Sequence, residues 1–286
     1  MWQHFDKTHI MRPKTRAAFT LLELIVVIGV LSIVAATILP SLNHGESRSP
    51  AFECLNHHRQ LCDAWRMYAE DNSEKLVPNI QGGGALGGGS GGAVAWTTGW
   101  LDWTTRTDNT NVAFLINPKY ALLASYVNGA TNLFKCPADR FLSAVQANLR
   151  WQRVRSVSVN ILVGESNAES GPIDPIYKHV RKLSEFLYPV PADAHVFLDE
   201  HPDSINDPGF FSPGQTSWID LPAVQHHGGA AFGFADSHAE IHRWRGSLSN
   251  IKSFYGNGFP SVTAPAGDPD IHWMSYHTAR PGTNSY

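Results

Sequence analysis

The chain has 286 residues, 43% of them hydrophobic, enough to bury a real core, which excludes wholesale disorder. A formal net charge of -3 and a pI near 6.5 give no global basic field. No Lys/Arg stripe interleaved with aromatics is present either, so nucleic acid is not an expected partner.

In residues 1–18 the basic Lys7, Arg12, Lys14 and Arg16 outnumber Asp6. Residues 19–39, FTLLELIVVIGVLSIVAATIL, then hold a single charge, Glu23. As a helix this run would rise about 31 Å, enough for a hydrocarbon core of ~30 Å. It reads as one membrane span, with the basic end in the cytoplasm and the remainder periplasmic or extracellular. A secretory signal would have a shorter apolar run ending at a small-residue cleavage site. A plain anchor would not carry Glu23, because an ionisable group at a membrane face needs a partner.

These residues resemble type IV prepilins and type II secretion pseudopilins. The resemblance implies cleavage by a prepilin peptidase between Ala18 and Phe19 and N-methylation of the new amine. It further implies that Glu23, as the fifth mature residue, meets the amine of a neighbouring subunit. Pro40 falls at the twenty-second mature position, where pilins commonly have Pro. Ala18 departs from the usual Gly before the cut. The implied organisation is a leader over 1–18, a transmembrane and assembly helix over 19–50, and an external domain over 51–286. The implied partners are the peptidase, other pilin or pseudopilin subunits, and the inner membrane.

Residues 43–50, NHGESRSP, should interrupt the helix, which resumes near Ala51. Phe52, Leu55, Cys62, Trp65, Tyr68 and Ala69 then fall on one apolar stripe for a globular domain to cover. Cys62 on that stripe is expected to be a buried thiol. The three cysteines, Cys54, Cys62 and Cys136, form no C-x-x-C pair. Cys54 and Cys62 on one helix would lie about 12 Å apart, beyond the ~7 Å a disulfide tolerates, so any bridge joins Cys54 or Cys62 to Cys136.

The low-complexity run GGGALGGGSGG over 82–92 reads as a mobile loop. Its Gly88-x-Ser90-x-Gly92 lacks the strand and helix that a nucleophile elbow requires. Trp96, Trp100 and Trp103 raise the possibility of sugar stacking, although large aromatics more often anchor a core. Strands are expected around 154–161 and 194–198. Between 199 and 207, Asp199, Glu200, His201, Asp203, Asn206 and Asp207 offer oxygen ligands of the kind calcium takes, without EF-hand spacing. The simpler reading there is a solvated loop with Asx turns.

The segment 226–244, HHGGAAFGFADSHAEIHRW, alternates with period two on both sides of Asp236-Ser237, which predicts a hairpin with Phe232 and Phe234 on one face. His226, His227, Asp236, His238 and His242 make a second set of candidate metal ligands, with His238, Glu240 and His242 sharing one strand face. Together with CLNHHRQL after residue 53, FKCPAD at 134–139 and FLDEHPDSIND at 197–207, this segment resembles a pilin-like group of Planctomycetes and Verrucomicrobia. Proteins of that group end in an H-x9-DG domain. Here His226 precedes Asp236 by that spacing, and Ser237 replaces the usual Gly.

The expected fold is therefore α+β, a long N-terminal helix packed on an antiparallel sheet with long loops. The expected role is a pilin-like or pseudopilin-like structural subunit, in type II secretion or a surface filament, with no enzymatic activity and no required cofactor. The alternative is a membrane-tethered module that binds carbohydrate or metal and never polymerises. No nucleophile, base and orienter stand in a catalytic relation.

Overall fold

Thr20 opens the first helix through a reciprocal cap. Its backbone N–H donates to Glu23 Oε2 (2.9 Å), and the Glu23 N–H donates to Thr20 Oγ1 (3.3 Å). This T-x-x-E capping box precedes α1, Leu21–Leu42. In this computed structural model the described residues are 20–42, 49–88, 94–167, 177–256 and 262–278, with α1 side chains described through Val34. The cleavage residues Ala18 and Phe19 lie outside them, as does the side chain of Pro40, whose backbone is helical. Every described α1 side chain is exposed. Among the described residues no helix is long and apolar enough to cross a membrane. Residues 21–34 alone rise only about 21 Å, short of the ~30 Å core.

The chain divides into two units, Met1–Ser47 and Arg48–Tyr286. The second begins with α2, Pro50–Asp71, where Pro50 occupies a first-turn position whose missing N–H costs nothing. The buried stripe of α2 runs through Cys54, His58, Leu61, Cys62, Trp65 and Ala69. Phe52, expected on this stripe, is instead 40% exposed. The stripe is rotated because two histidines and Cys54 take places that apolarity alone would not assign to them.

Five strands form one sheet in the order β3-β1-β2-β4-β5. They are β1 Val157–Asn160, β2 His195–Asp199, β3 Gly209–Phe210, β4 Gly229–Phe234 and β5 Ala239–Arg243. β1, β2, β4 and β5 pair antiparallel, but β3 runs parallel to β1, so the sheet is mixed and not purely antiparallel as expected. The two-residue β3 follows Asp207, whose Oδ1 accepts the Gly209 N–H (2.8 Å) in an Asx turn that sends the chain back along β1.

The sheet is covered on both faces. On one, Leu61 and Trp65 of α2 join Trp96, Phe134 and Phe197 in a core. On the other, Phe210, Phe232, Phe234, Trp244 and Met274 form a second core, Met274 coming from α5, Pro269–Tyr276. β4 shows how the sequence divides the two. Phe232 and Phe234 fill the second core, while Ala231 and Gly233 face α2 and let it approach. The expected hairpin is present between β4 and β5, and Ser237 takes a positive φ of 74° at its turn.

The structure places three loop segments that the sequence singled out. Gly82–Gly88 is a pair of 3-10 turns, held by donation from the Gly82 N–H to Asp207 and from the Gly87 N–H to Asp108; residues 89–93, including Ser90, lie outside the described ones. Trp96 and Trp103 are buried and only Trp100 is partly exposed, so the three do not form one sugar-stacking platform. Residues 199–207 are not a solvated loop, since Asp199, Glu200, His201, Asp203 and Asp207 are all buried.

Candidate functional site

The acids of 199–207 diverge. Asp203 accepts from Trp103 Nε1 (2.8 Å), Ser253 Oγ (2.9 Å) and the Phe254 N–H (2.7 Å). Asp207 accepts from the Gly82 and Gly209 N–H groups, and Glu200 from the Ser158 and Ser204 hydroxyls. Each carboxylate is committed to its own donors, so these oxygens do not converge on a calcium position.

Asp199 takes another direction. It ends β2, and its carboxylate lies under α2, where Cys54 Sγ–H donates to Oδ2 (2.9 Å). His226, on the loop before β4, places Nε2 3.6 Å from the same Oδ2 and 3.1 Å from Cys136 Sγ. Cys136 follows the 3-10 turn Thr131–Phe134 and is fixed by its N–H donating to Ser156 Oγ (2.7 Å). One ligand atom from each of Cys54, Cys136, Asp199 and His226 lies within 4.8 Å of the others, and all four residues are buried. Among the described residues no other set of at least three His, Cys, Asp or Glu side chains converges in this way. His58, one helical turn beyond Cys54, places Nε2 3.4 Å from Asp199 Oδ1, yet neither ring nitrogen nor Oδ1 has a hydrogen-bond partner.

The electrostatics of the four groups are interlocked. Burial pushes the Cys54 thiol well up, with the contact to Cys136 and the charge of Asp199 adding to it. The Cys136 thiol is lowered by its contact with Cys54, against burial, with His226 assisting. Burial alone would raise Asp199, but the field of His58 and the side-chain contacts of His226, His58 and Cys54 prevail and hold its carboxyl well below the usual range. His226 loses solvation on burial, yet its contacts to Asp199 and Cys136 raise it to about 10. This arrangement couples the protonation of four buried groups.

Of the residues singled out from sequence, Asp199, His226 and two of the cysteines meet here. Glu200 points into the separate Ser158–Ser204 network. Asp236 and His238 pair at the exposed hairpin turn (2.6 Å), and His238 stacks on Phe234 with centroids 4.3 Å apart. His242 stacks on Trp273 (3.8 Å), so the expected strand-face set of His238, Glu240 and His242 does not form a ligand group. All three cysteines are free thiols in this structure, and the geometry favours Cys54 over Cys62 as the neighbour of Cys136. Sequence reading did not anticipate the two thiols as companions of Asp199 and His226. Cys54 lies 145 positions from Asp199 and Cys136 lies 90 from His226. The available signal was the apolar run VFL before Asp199, which announces a buried strand end.

At the other end of the chain, residues 13–39 match the family model described as the prokaryotic N-terminal methylation motif. This N-terminal segment is therefore similar to that of type IV pilin-like proteins. The matched span contains the Ala18-Phe19 junction and Glu23. No curated protein and no solved structure matches the chain.

Proposed function

We propose that the protein is a pilin-like or pseudopilin-like subunit of the group with a C-terminal H-x9-DG domain. A prepilin peptidase cuts it before Phe19, and it is anchored in the inner membrane with its larger unit outside. It has a structural and not an enzymatic role, in type II secretion or a surface filament. The methylation motif at 13–39 carries this reading. The exposed apolar face of α1 supports it, because such a helix needs lipid or partner helices around it. In the assembled state Glu23 would neutralise the amine of the next subunit inside the bilayer, where either charge alone is costly.

Glu23 also closes the capping box with Thr20, so two variants are needed to separate its roles. Glu23→Ala removes both the charge and the cap, whereas Glu23→Gln keeps a capping side chain and removes only the charge. Loss of filament or pseudopilus assembly in both variants, with surface display retained, is the expected outcome. Assembly retained in Glu23→Gln would reduce Glu23 to a helix cap. A second reading, a tethered binding module, is favoured by the extent of the Arg48–Tyr286 unit and its own converged ligand group. In that case both variants would leave display and ligand binding unchanged, and no polymer would form with either parent or variant.

A further inference from the structure

We propose that Cys54, Cys136, His226 and Asp199 bind a single zinc-class metal ion that ties together α2, the loop after Phe134, the end of β2 and the loop before β4. A tetrahedral ion with bonds of ~2.0–2.3 Å separates its ligand atoms by roughly 3.3–3.8 Å. The contacts of 2.9, 3.1 and 3.6 Å among these four residues, all within 4.8 Å, fit such a set with shifts of a fraction of an ångström. Two sulfurs, one imidazole and one carboxylate select a borderline-soft divalent ion over calcium or magnesium.

The surroundings point the same way. His58 is fully buried, and its Nε2 meets Asp199 Oδ1 at 3.4 Å as an ion-pair contact, although neither atom makes a hydrogen bond. With Asp199 Oδ2 on a metal, His58 becomes the outer-shell donor to Oδ1, the kind of support that metal-bound carboxylates use. A disulfide between Cys54 and Cys136 would account for the sulfurs alone. It would also remove the Cys54 donor from Asp199, leaving a fully buried carboxylate less satisfied. Depressions open on both sides of the group, one lined by Ala51, His226 and Ile241, the other by His57, Asn132 and Cys136, and these provide a route in for the ion. Four protein ligands leave no open position, which indicates a structural ion and not a catalytic one.

The test is made on the full chain, purified in detergent without reductant or chelator and dialysed against metal-free buffer after loading with zinc. Elemental analysis should find one zinc per chain. Cys136→Ser and His226→Gln should each retain less than a tenth of that, while Cys62→Ala, whose thiol faces Gly233, should keep it in full. Stripping the ion with a chelator should lower Tm by roughly 8–16 °C if zinc stands a thousandfold above its Kd. Should the ligand variants fail to fold, cobalt(II) added to the stripped parent must still give the intense visible bands and thiolate charge-transfer absorption of a tetrahedral sulfur site. A parent without zinc that yields a Cys54–Cys136 disulfide on peptide mapping would overturn the proposal. So would a chelator-insensitive Tm, full zinc in Cys136→Ser, or a cobalt spectrum without thiolate absorption.

Discussion

Replacing Gly233 by Ala puts a methyl group where β4 meets α2. That methyl would stand 2.5 Å from Cys62 Sγ and 3.4 Å from the His58 carbonyl oxygen. Carbon and sulfur need about 1 Å more, and Cys62 is fully buried, so the helix or the strand must move. Overpacking of this kind costs about 1–3 kcal/mol. Cys62→Ala alone removes a buried sulfur and should cost about 1–2 kcal/mol in lost transfer energy and cavity. In the double variant the new methyl occupies the space the sulfur left, so the losses should fall short of their sum by about 1–2 kcal/mol. Urea unfolding of the four proteins in one detergent, followed by tryptophan fluorescence, gives this coupling. Additivity within ~0.5 kcal/mol would refute the contact between α2 and β4 at this point and the reason offered for a small residue at 233.

Two further outcomes follow from the same cores. Ser237 holds a φ of 74° and its Oγ is buried without a partner, so Ser237→Gly should stabilise the hairpin by about 0.5–1 kcal/mol; a loss in the same unfolding assay would contradict the turn assignment. Burial lowers His195 to about 3, only partly offset by its hydrogen bond to the His277 carbonyl (2.8 Å), so it is neutral when folded. Unfolded, it takes up a proton near pH 6.5, so its contribution to stability is complete above that pH and is lost as pH falls toward 3. The gap in unfolding free energy between the parent and His195→Asn should therefore narrow by about 2 kcal/mol from pH 7 to pH 5. Using the difference is necessary because buried Asp220, raised by burial to about 8, acts oppositely: its contribution is complete below its unfolded pKa and lost as pH rises through 8. A gap that stays constant would mean that His195 is not held neutral.

Local pattern made part of this molecule readable. Phe232 and Phe234 alternate with Ala231 and Gly233 and flank Asp236-Ser237, so the hairpin and its buried face follow from period two. The N-terminal signal is equally local, since the methylation motif occupies the continuous stretch 13–39. The parts that were not readable depend on distant partners. Asp199 through Asp207 look wet in sequence because charge is normally exposed, but their donors come from Trp103, Gly82, Ser158 and Cys54, which no local window contains. The parallel β3 escaped notice because two residues, Gly209 and Phe210, carry no periodicity. The rotated face of α2 was missed because His57 and His58 are buried through contacts with Lys135 and Asp199 and not through apolarity.

The processing of the N-terminus tests the central claim most directly. The full chain is co-expressed with a prepilin peptidase, recovered from membranes, and its N-terminal peptide sequenced by mass spectrometry. The expected peptide begins at Phe19 and carries a methylated amine, and Phe19→Ala should reduce its yield relative to the uncut form. A chain that retains Met1 to Ala18 in the presence of an active peptidase would contradict the pilin-like reading.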